Sequence, residues 1–300
     1  MGCSNKNKSV LLLGATGFIG SNIAQELNHR GYDWLGVASS RKQDHPNIVT
    51  LSDQSEISTM LRNKPVVINA IGGLKPRDFL LDFEQATEEF WQTVQNTLSV
   101  LRKGSPRLIL QISSAGTVYG EALRKPSEEN DPSAPISWYG RMKVIEEALY
   151  QQFAYGSGVV YTCARVTNPF GNKKRPKHGF IDVLIDHLRR NATFEACFPE
   201  GAARDFIYAP EMAKILVSMV ERPVPGVFNV GRSESIPLEK LIKCTKKQLP
   251  DAKIESTPYH GQDVRVSSIS TRKLFDAYGI TPGGPSAVEY LLDRLAEIRK

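Results

Sequence analysis

The sequence has few of the features that mark membrane-spanning, secreted or metal-binding proteins. No apolar run approaches the length that crosses a bilayer, and residues 1–8 lack the apolar core of a signal peptide. The four cysteines lie far apart with no metal-ligand spacing, at Cys3, Cys163, Cys197 and Cys244. We therefore expect a cytoplasmic protein with free thiols, no bound metal and no membrane partner.

Internal repeats and low-complexity segments are also lacking. With 300 residues, 41% of them hydrophobic and 23% charged, the chain has an ordinary globular composition and enough length for a large core. The net charge of +6 comes from lysines and arginines scattered along the sequence. This charge is compatible with a nucleic-acid partner, but an anion-binding enzyme explains it equally well. We expect the enzyme and no nucleic-acid partner.

Three glycines follow the first apolar run of the chain. Residues 10–13 have the pattern of a buried parallel strand, and a G-x-x-G-x-x-G segment leads from them into a helical pattern. Such a turn brings backbone N–H groups and the positive end of a helix toward a pyrophosphate. We expect Gly14 to take a positive φ and Gly20 to let the helix pack on the strand. The predicted dinucleotide contacts are Gly14, Thr16, Gly17, Phe18, Ile19 and Gly20.

No carboxylate stands about twenty residues after the glycine turn, where an NAD enzyme usually has one for the ribose 2′-hydroxyl. The second predicted strand, 34–39, leads instead into Ser39, Ser40, Arg41 and Lys42. Hydroxyl and cationic groups suit a 2′-phosphate better, so we favour NADP over NAD as the cofactor.

Two further segments are predicted to border the cofactor. Asp53 follows a short strand at 48–51, where it either accepts from the adenine amino group or caps the next helix; capping is the safer assignment. The strand at 65–70 ends at Ala70 and is followed by Gly72, where the backbone can approach a ligand.

Strand and helix patterns alternate through the first half of the chain, with a long helix at 84–102 and a strand at 107–112. This alternation predicts an α/β fold with a Rossmann-like, doubly wound parallel sheet. We expect an NAD(P)-binding domain over residues 1–168, to which a segment at about 205–232 returns. Residues 169–300 then form mainly a small C-terminal substrate-binding lobe.

A tyrosine and a lysine stand four residues apart at the start of a predicted helix. Tyr139 and Lys143 share one helical face, and a nearby ammonium lowers the pKa of a phenol, so the pair can pass a proton at neutral pH. A hydroxyl from the end of the 107–112 strand would hold the substrate oxygen. Either Ser114 or Thr117 can supply it.

These segments resemble the extended short-chain dehydrogenase/reductase family, and in particular its nucleotide-sugar epimerases, dehydratases and ketoreductases. The similarity spans nearly the whole chain in an ordered set of motifs. They are GATGFIG at 14–20, SSAGTVYG at 113–120, Tyr139-x-x-x-Lys143, RVTNPFG at 165–171, RDFIY at 204–208, FNVG at 228–231 and GQDVR at 261–265.

The resemblance implies roles for particular residues. Tyr139 is the acid/base, and Lys143 binds the nicotinamide ribose and tunes the tyrosine. Asn168 contacts the substrate nucleotide or its phosphate, while Arg204 and Arg265 bind the diphosphate. From the residues alone, Asn168 is equally a turn residue before a proline, and Arg204 a salt-bridge partner, for example of Asp205.

One departure from the family pattern bears on the reaction. The usual catalytic Ser or Thr position falls on Ala115, and no carboxylate stands at Ala115, Gly116 or Thr117, where dehydratases carry acids. We therefore expect a 4-ketoreductase or 4-epimerase of a nucleotide diphosphate sugar, with dehydration less favoured.

The alternative is a non-catalytic, NADP-binding sensor or an RNA-associated member of the same fold. Tyr139 and Lys143 speak against it, because a binding module has no need of them. We also expect a homodimer. The apolar residues of the Tyr139–Lys143 helix either form the dimer contact face or pack on the sheet; they are Met142, Ile145, Leu149 and Phe153.

Overall fold

The computed structural model describes residues 9–39, 45–122, 125–172, 178–259, 261 and 263–299. Its strands are β1 (Ser9–Leu13), β2 (Asp33–Ala38), β3 (Ile48–Thr50), β4 (Val66–Asn69), β5 (Leu108–Ser114), β6 (Val160–Val166), β7 (Asn168–Phe170), β8 (Phe194–Ala196), β9 (Ala203–Tyr208), β10 (Gly226–Val230), β11 (Ser235–Pro237), β12 (Ile254–Ser256) and β13 (Val266–Ser267). Its helices are α1 (Phe18–His29), α2 (Gln54–Arg62), α3 (Pro76–Leu81), α4 (Phe83–Arg102), α5 (Ala115–Val118), α6 (Trp138–Ser157), α7 (Phe180–Arg189), α8 (Ala209–Glu221), α9 (Leu238–Gln248), α10 (Arg272–Tyr278) and α11 (Ala287–Ile298).

Seven strands form the main sheet, in the order β10-β6-β5-β4-β1-β2-β3. The strands from β3 to β5 pair in parallel along this order. The first six strands of the chain thus follow the doubly wound order 3-2-1-4-5-6, and the Rossmann-like α/β fold predicted from the sequence is confirmed. The strand order reverses between β1 and β4, which is where such sheets bind ligands at their carboxyl ends.

The central strands are apolar because both faces of the sheet are covered. Every residue from Val10 to Leu13, and every residue of β4, is buried. Helices α2, α4 and α6 contribute apolar side chains to the same core cluster as these strands. Helix α1 ends at His29, and Gly31 follows with φ of 65°, the left-handed conformation that commonly terminates helices.

The chain divides into two compact units, and neither is one continuous segment. The first contains residues 1–113, 141–165 and 213–228 and holds most of the main sheet. The second contains residues 114–140, 166–212 and 229–300. It has a four-stranded sheet, β11-β9-β13 with β7 paired to β9, a two-stranded sheet of β8 and β12, and a core cluster of its own. The assignment of cofactor binding to residues 1–168 and of substrate binding to 169–300 stays a prediction.

Several predicted element boundaries differ from the structure by one to four residues. The strand predicted at 107–112 continues to Ser114, and the predicted helix that carries Tyr139 continues beyond residue 153 to Ser157. None of the helices in the described ranges combines the length and the apolar character needed to cross a membrane.

Candidate active site

The glycine turn lies between the ends of three strands of the main sheet. Gly14 follows β1 with φ of 76°, as predicted, and its N–H donates to the Val37 carbonyl of β2 at 2.9 Å. A Cβ at Gly14 would lie 2.6 Å from the Ala70 carbonyl oxygen, immediately after β4. Only a glycine fits this approach, which places the turn at the point where the strand order reverses.

Helix α1 begins directly on this turn. Gly17 is its exposed N-cap residue, and the Gly17 N–H donates to the Gly14 carbonyl at 3.0 Å. A Cβ at Gly20 would meet the Gly14 carbonyl oxygen and lie 2.8 Å from its carbon. The close packing expected of Gly20 is therefore against the backbone of the turn itself, whereas the sequence predicted packing on the strand.

This arrangement fits a dinucleotide pyrophosphate. The N–H groups of a first helical turn have no partner within the helix, and the helix dipole makes that end positive. Thr16, Phe18 and Ile19, which the sequence predicts as contacts, lie in the turn and the first turn of α1. The missing side chain of exposed Gly17 leaves the backbone accessible there.

The residues predicted to select NADP are only partly described. Strand β2 ends at Ala38, and Ser39 follows as an exposed residue. Ser40, Arg41 and Lys42 lie outside the described residues.

Asp53 is the N-cap residue of α2 by position, but its side chain makes no capping hydrogen bond. Its Oδ2 instead accepts from the Thr50 backbone N–H at 2.7 Å and from the Thr50 hydroxyl at 3.0 Å. The predicted side-chain cap is therefore wrong, because the carboxylate closes the turn that precedes the helix. A contact with adenine stays a prediction.

The end of β4 borders the glycine turn. The buried Ala70 donates its N–H to the Leu13 carbonyl at 3.0 Å, and Asn69 donates its side-chain amide to Gln111 at 2.8 Å. Gly72 is exposed, and a Cβ there would meet nothing within 4 Å. The open backbone after β4 suits the predicted contacts of Ala70 and Gly72 with a cofactor.

Tyr139 and Lys143 both lie in the first two turns of α6, as their spacing predicts. Tyr139 is half-buried and Lys143 is buried. Between them, Gly140 packs against α5, because a Cβ there would lie only 2.7 Å from the Thr117 carbonyl oxygen. No pattern in the sequence indicates this contact, which fixes the start of α6 to the segment after β5.

Lys143 forms an ion pair that sequence reasoning missed. Its Nζ donates to Glu146 Oε2 at 2.6 Å, and the two side chains are 11% and 6% exposed. The i,i+3 spacing of the two residues is the signal that would have predicted the pair.

The candidate hydroxyls have different surroundings. Ser114 is the N-cap residue of α5, and the Thr117 hydroxyl donates to the Ser114 carbonyl over a long 3.5 Å. Both residues are half-buried, and the choice between them stays open. Ser113 is different, because its hydroxyl donates to Glu147, whose carboxylate is also paired with Arg165 at 2.7 Å.

In the second unit, Asn168 and Arg204 are held by neighbouring strands. Asn168 starts β7 and donates its side-chain amide to the Asp205 carbonyl at 2.8 Å. The Arg204 guanidinium pairs with Asp263 at 2.8 Å and also donates to the Arg265 carbonyl at 2.8 Å. The Arg265 side chain is exposed.

The suggested salt bridge between Arg204 and Asp205 is wrong. Neighbouring residues of β9 point to opposite faces, so the two side chains separate. Asp205 is fully buried and accepts from the backbone N–H groups of Arg232 and Glu234 at 2.9 and 3.0 Å. Burial raises the pKa of Asp205 to about 7, while these N–H donors lower it.

Comparisons with known proteins agree with this geometry. A putative UDP-glucose 4-epimerase of Methanocaldococcus jannaschii is 26% identical over 265 residues, which cover 80% of this chain and 82% of that protein. An Escherichia coli dTDP-4-dehydro-6-deoxyglucose reductase is 24% identical, with 81% and 83% covered. The crystal structure of Thermus thermophilus UDP-glucose 4-epimerase in complex with NAD superposes with a TM-score of 0.83 at 22% identity, covering 97% of this chain and 99% of that one.

The sequence model of one family matches most of the chain, from residue 10 to residue 231. This range contains the glycine turn, the Tyr139–Lys143 helix and the strand that carries Arg204. The protein therefore belongs to the NAD dependent epimerase/dehydratase family.

Proposed function

We propose that the protein is an NAD(P)-dependent oxidoreductase of nucleotide diphosphate sugars that acts as a 4-ketoreductase or a 4-epimerase. The observation that carries this proposal is the glycine turn of the first unit together with the Tyr139–Lys143 helix. A glycine turn open to a pyrophosphate stands at the strand-order reversal, and the same unit holds the buried Lys143 four residues after Tyr139.

The cofactor, when bound, supplies a nicotinamide that accepts or donates a hydride. Backbone N–H groups of the turn from Gly14 to Gly20 hold its pyrophosphate, with Ala70 and Gly72 beside it. Lys143 donates to the nicotinamide ribose. Tyr139 takes the proton from the sugar hydroxyl during oxidation and returns one during reduction, and Ser114 or Thr117 donates to the same sugar oxygen.

Asn168, Arg204 and Arg265 are proposed to hold the nucleotide diphosphate. Arg265, whose side chain is exposed, is the cation best placed to meet an anion. Arg204 already binds Asp263 and two backbone carbonyls, so its role includes fixing the segment before β13 that carries Arg265.

Reduction is favoured over dehydration by the residues of α5. Elimination of water needs acids next to the reacting sugar, and Ala115, Gly116 and Thr117 provide none. NADP is favoured over NAD because no carboxylate stands at Ser39–Lys42 to meet a ribose 2′-hydroxyl. A homodimer and a cytoplasmic location stay predictions.

A two-stage experiment tests the proposal. Purified protein is first titrated with NADPH and NADH, and we expect tighter binding of NADPH. UDP-glucose and dTDP-4-dehydro-6-deoxyglucose are then added while the reduced-nicotinamide absorbance is followed. Loss of absorbance with the 4-keto sugar identifies a reductase, and product without net change identifies an epimerase. Failure to bind either cofactor would refute the proposal.

A further inference from the structure

Two adjacent glutamates of α6 have different partners. Glu147 is paired with Arg165 of β6 and accepts from Ser113 of β5, so it joins the helix to the sheet. Glu146 is instead paired with Lys143, one turn earlier in the same helix. Both carboxylates are buried, so the contrast between them lies in their partners and not in their exposure.

The Lys143–Glu146 pair is buried within the first unit, and Glu146 lies one helical turn before the fully buried Tyr150. Burial raises the pKa of Tyr150, and the charge of Glu146 raises it further. Tyr150 belongs to the core cluster of the first unit, so Glu146 and Tyr150, four residues apart, share the buried face of α6.

A buried lysine needs a partner if its ammonium is to be held in place to bind a ligand. Its four-carbon stem is flexible, and an ammonium removed from water requires a counter-charge or hydrogen bonds. A buried carboxylate at 2.6 Å therefore restrains the Lys143 side chain to one position.

From this geometry we infer that Glu146 is a positioning residue, which holds the Lys143 ammonium in place for the nicotinamide ribose. The inference rests on the proposed cofactor function and extends it to a residue outside the Tyr-x-x-x-Lys motif. Glu146 acts through Lys143 and makes no contact with the cofactor itself. Its loss should therefore weaken only ligands that carry the nicotinamide ribose.

Binding measurements without substrate test this inference. Calorimetry compares NADH with ADP, and NADPH with 2′,5′-ADP, because the shorter ligands reach the glycine turn but lack the nicotinamide ribose. We expect Glu146→Gln to weaken binding of the full dinucleotide about tenfold and to change binding of the shorter ligand less than twofold. Glu147→Gln is the matched control: it should lower the unfolding midpoint and leave the ratio of the two affinities unchanged.

A double-mutant cycle separates positioning from a general structural effect. In a Lys143→Met background, Glu146→Gln should change the affinity ratio no further, because the group that it positions is gone. If Glu146→Gln fails to fold, Glu146→Asp replaces it, and its shorter side chain should give a smaller loss in the same ratio.

The inference would be overturned if Glu146→Gln weakened binding of the full dinucleotide and of the shorter ligand equally. It would also be overturned if folded Glu146→Gln or Glu146→Asp left the ratio of the two affinities unchanged. A third contrary result would be a Glu146→Gln effect on this ratio that is undiminished in the Lys143→Met background. Failure of the wild-type protein to bind any dinucleotide would instead refute the proposed function, so the two failures are distinguishable.

Discussion

Replacing Gly20 with alanine tests whether the glycine turn and α1 form one rigid site. A Cβ at this position would meet the Gly14 carbonyl oxygen and lie 2.8 Å from the Gly14 carbon and 3.0 Å from the Ala15 Cα. All three atoms belong to the backbone of the turn, so no side chain can rotate away to relieve the contact. The first turn of α1 must therefore move away from Gly14, or the turn must change its conformation.

The expected effect is a balance of two terms. Alanine inside a helix is favoured over glycine by about 1 kcal/mol, which acts in favour of the variant. Overpacking against immobile atoms typically costs about 1–3 kcal/mol, and a backbone obstacle places this site at the upper end. We therefore expect Gly20→Ala to lower the free energy of unfolding by about 2 kcal/mol in urea titrations. We also expect it to weaken NADH binding, because the pyrophosphate N–H groups move with the helix.

Gly31→Ala is the matched control for backbone conformation. Gly31 has φ of 65°, and a Cβ there would meet nothing within 4 Å, so only the left-handed conformation opposes the change, at about 1 kcal/mol. Gly31 lies just past the C-terminal end of α1, whereas the glycine turn is at the N-terminal end. The substitution should therefore leave NADH binding unchanged. If Gly20→Ala were as stable as the wild type and bound NADH equally well, the rigid-turn reasoning would be refuted.

The side-chain contacts lead to four further predictions. Tyr139→Phe should abolish turnover while cofactor affinity changes less than twofold in calorimetry, and retained turnover would exclude Tyr139 as the acid/base. Arg165→Met leaves Glu147 buried without its cation and should reduce the free energy of unfolding by about 3–5 kcal/mol in urea, so an unchanged midpoint would contradict the buried pair. Arg265→Gln should raise KM for the nucleotide sugar about tenfold with little change in kcat, and the reverse pattern would argue against diphosphate binding. Burial raises the pKa of Asp182 from 3.8 to about 6, so the folded state binds more protons and stability should fall by up to about 3 kcal/mol as pH rises through that interval; Asp182→Asn should flatten this slope in urea midpoints, and equal slopes would refute it.

The first half of the fold could be predicted closely from the sequence because its signals are local. An apolar run, a glycine turn and a helical pattern lie next to one another, and the strand and helix boundaries around Gly14 agree with the structure within about one residue. Gly31 marks the end of α1 in the same local way. Where residues that are neighbours in sequence are also neighbours in space, the residue pattern alone is sufficient to predict the secondary structure.

The partners of the charged residues could not be predicted equally well, because most of them are distant in sequence. Arg204 pairs with Asp263, and Glu147 pairs with Arg165, and the partners of each pair lie far apart in the sequence. The pattern of β9 did contain one usable signal, since alternation along a strand excludes a bond between the side chains of Arg204 and Asp205. Lys143 and Glu146 were likewise within helical reach of each other.

The interleaving of the two units bears on how the protein forms during synthesis. Strand β10 pairs with β6 at one edge of the main sheet, yet β7, α7, β8, β9 and α8 all lie between these two strands in the chain. At usual rates of translation these residues take on the order of ten seconds to emerge. During that time β6 has an unpaired edge, which is a template for pairing with another chain. Strand β10, in the last segment of the first unit to be synthesised, thus covers the edge of β6 and protects the sheet from aggregation on the ribosome.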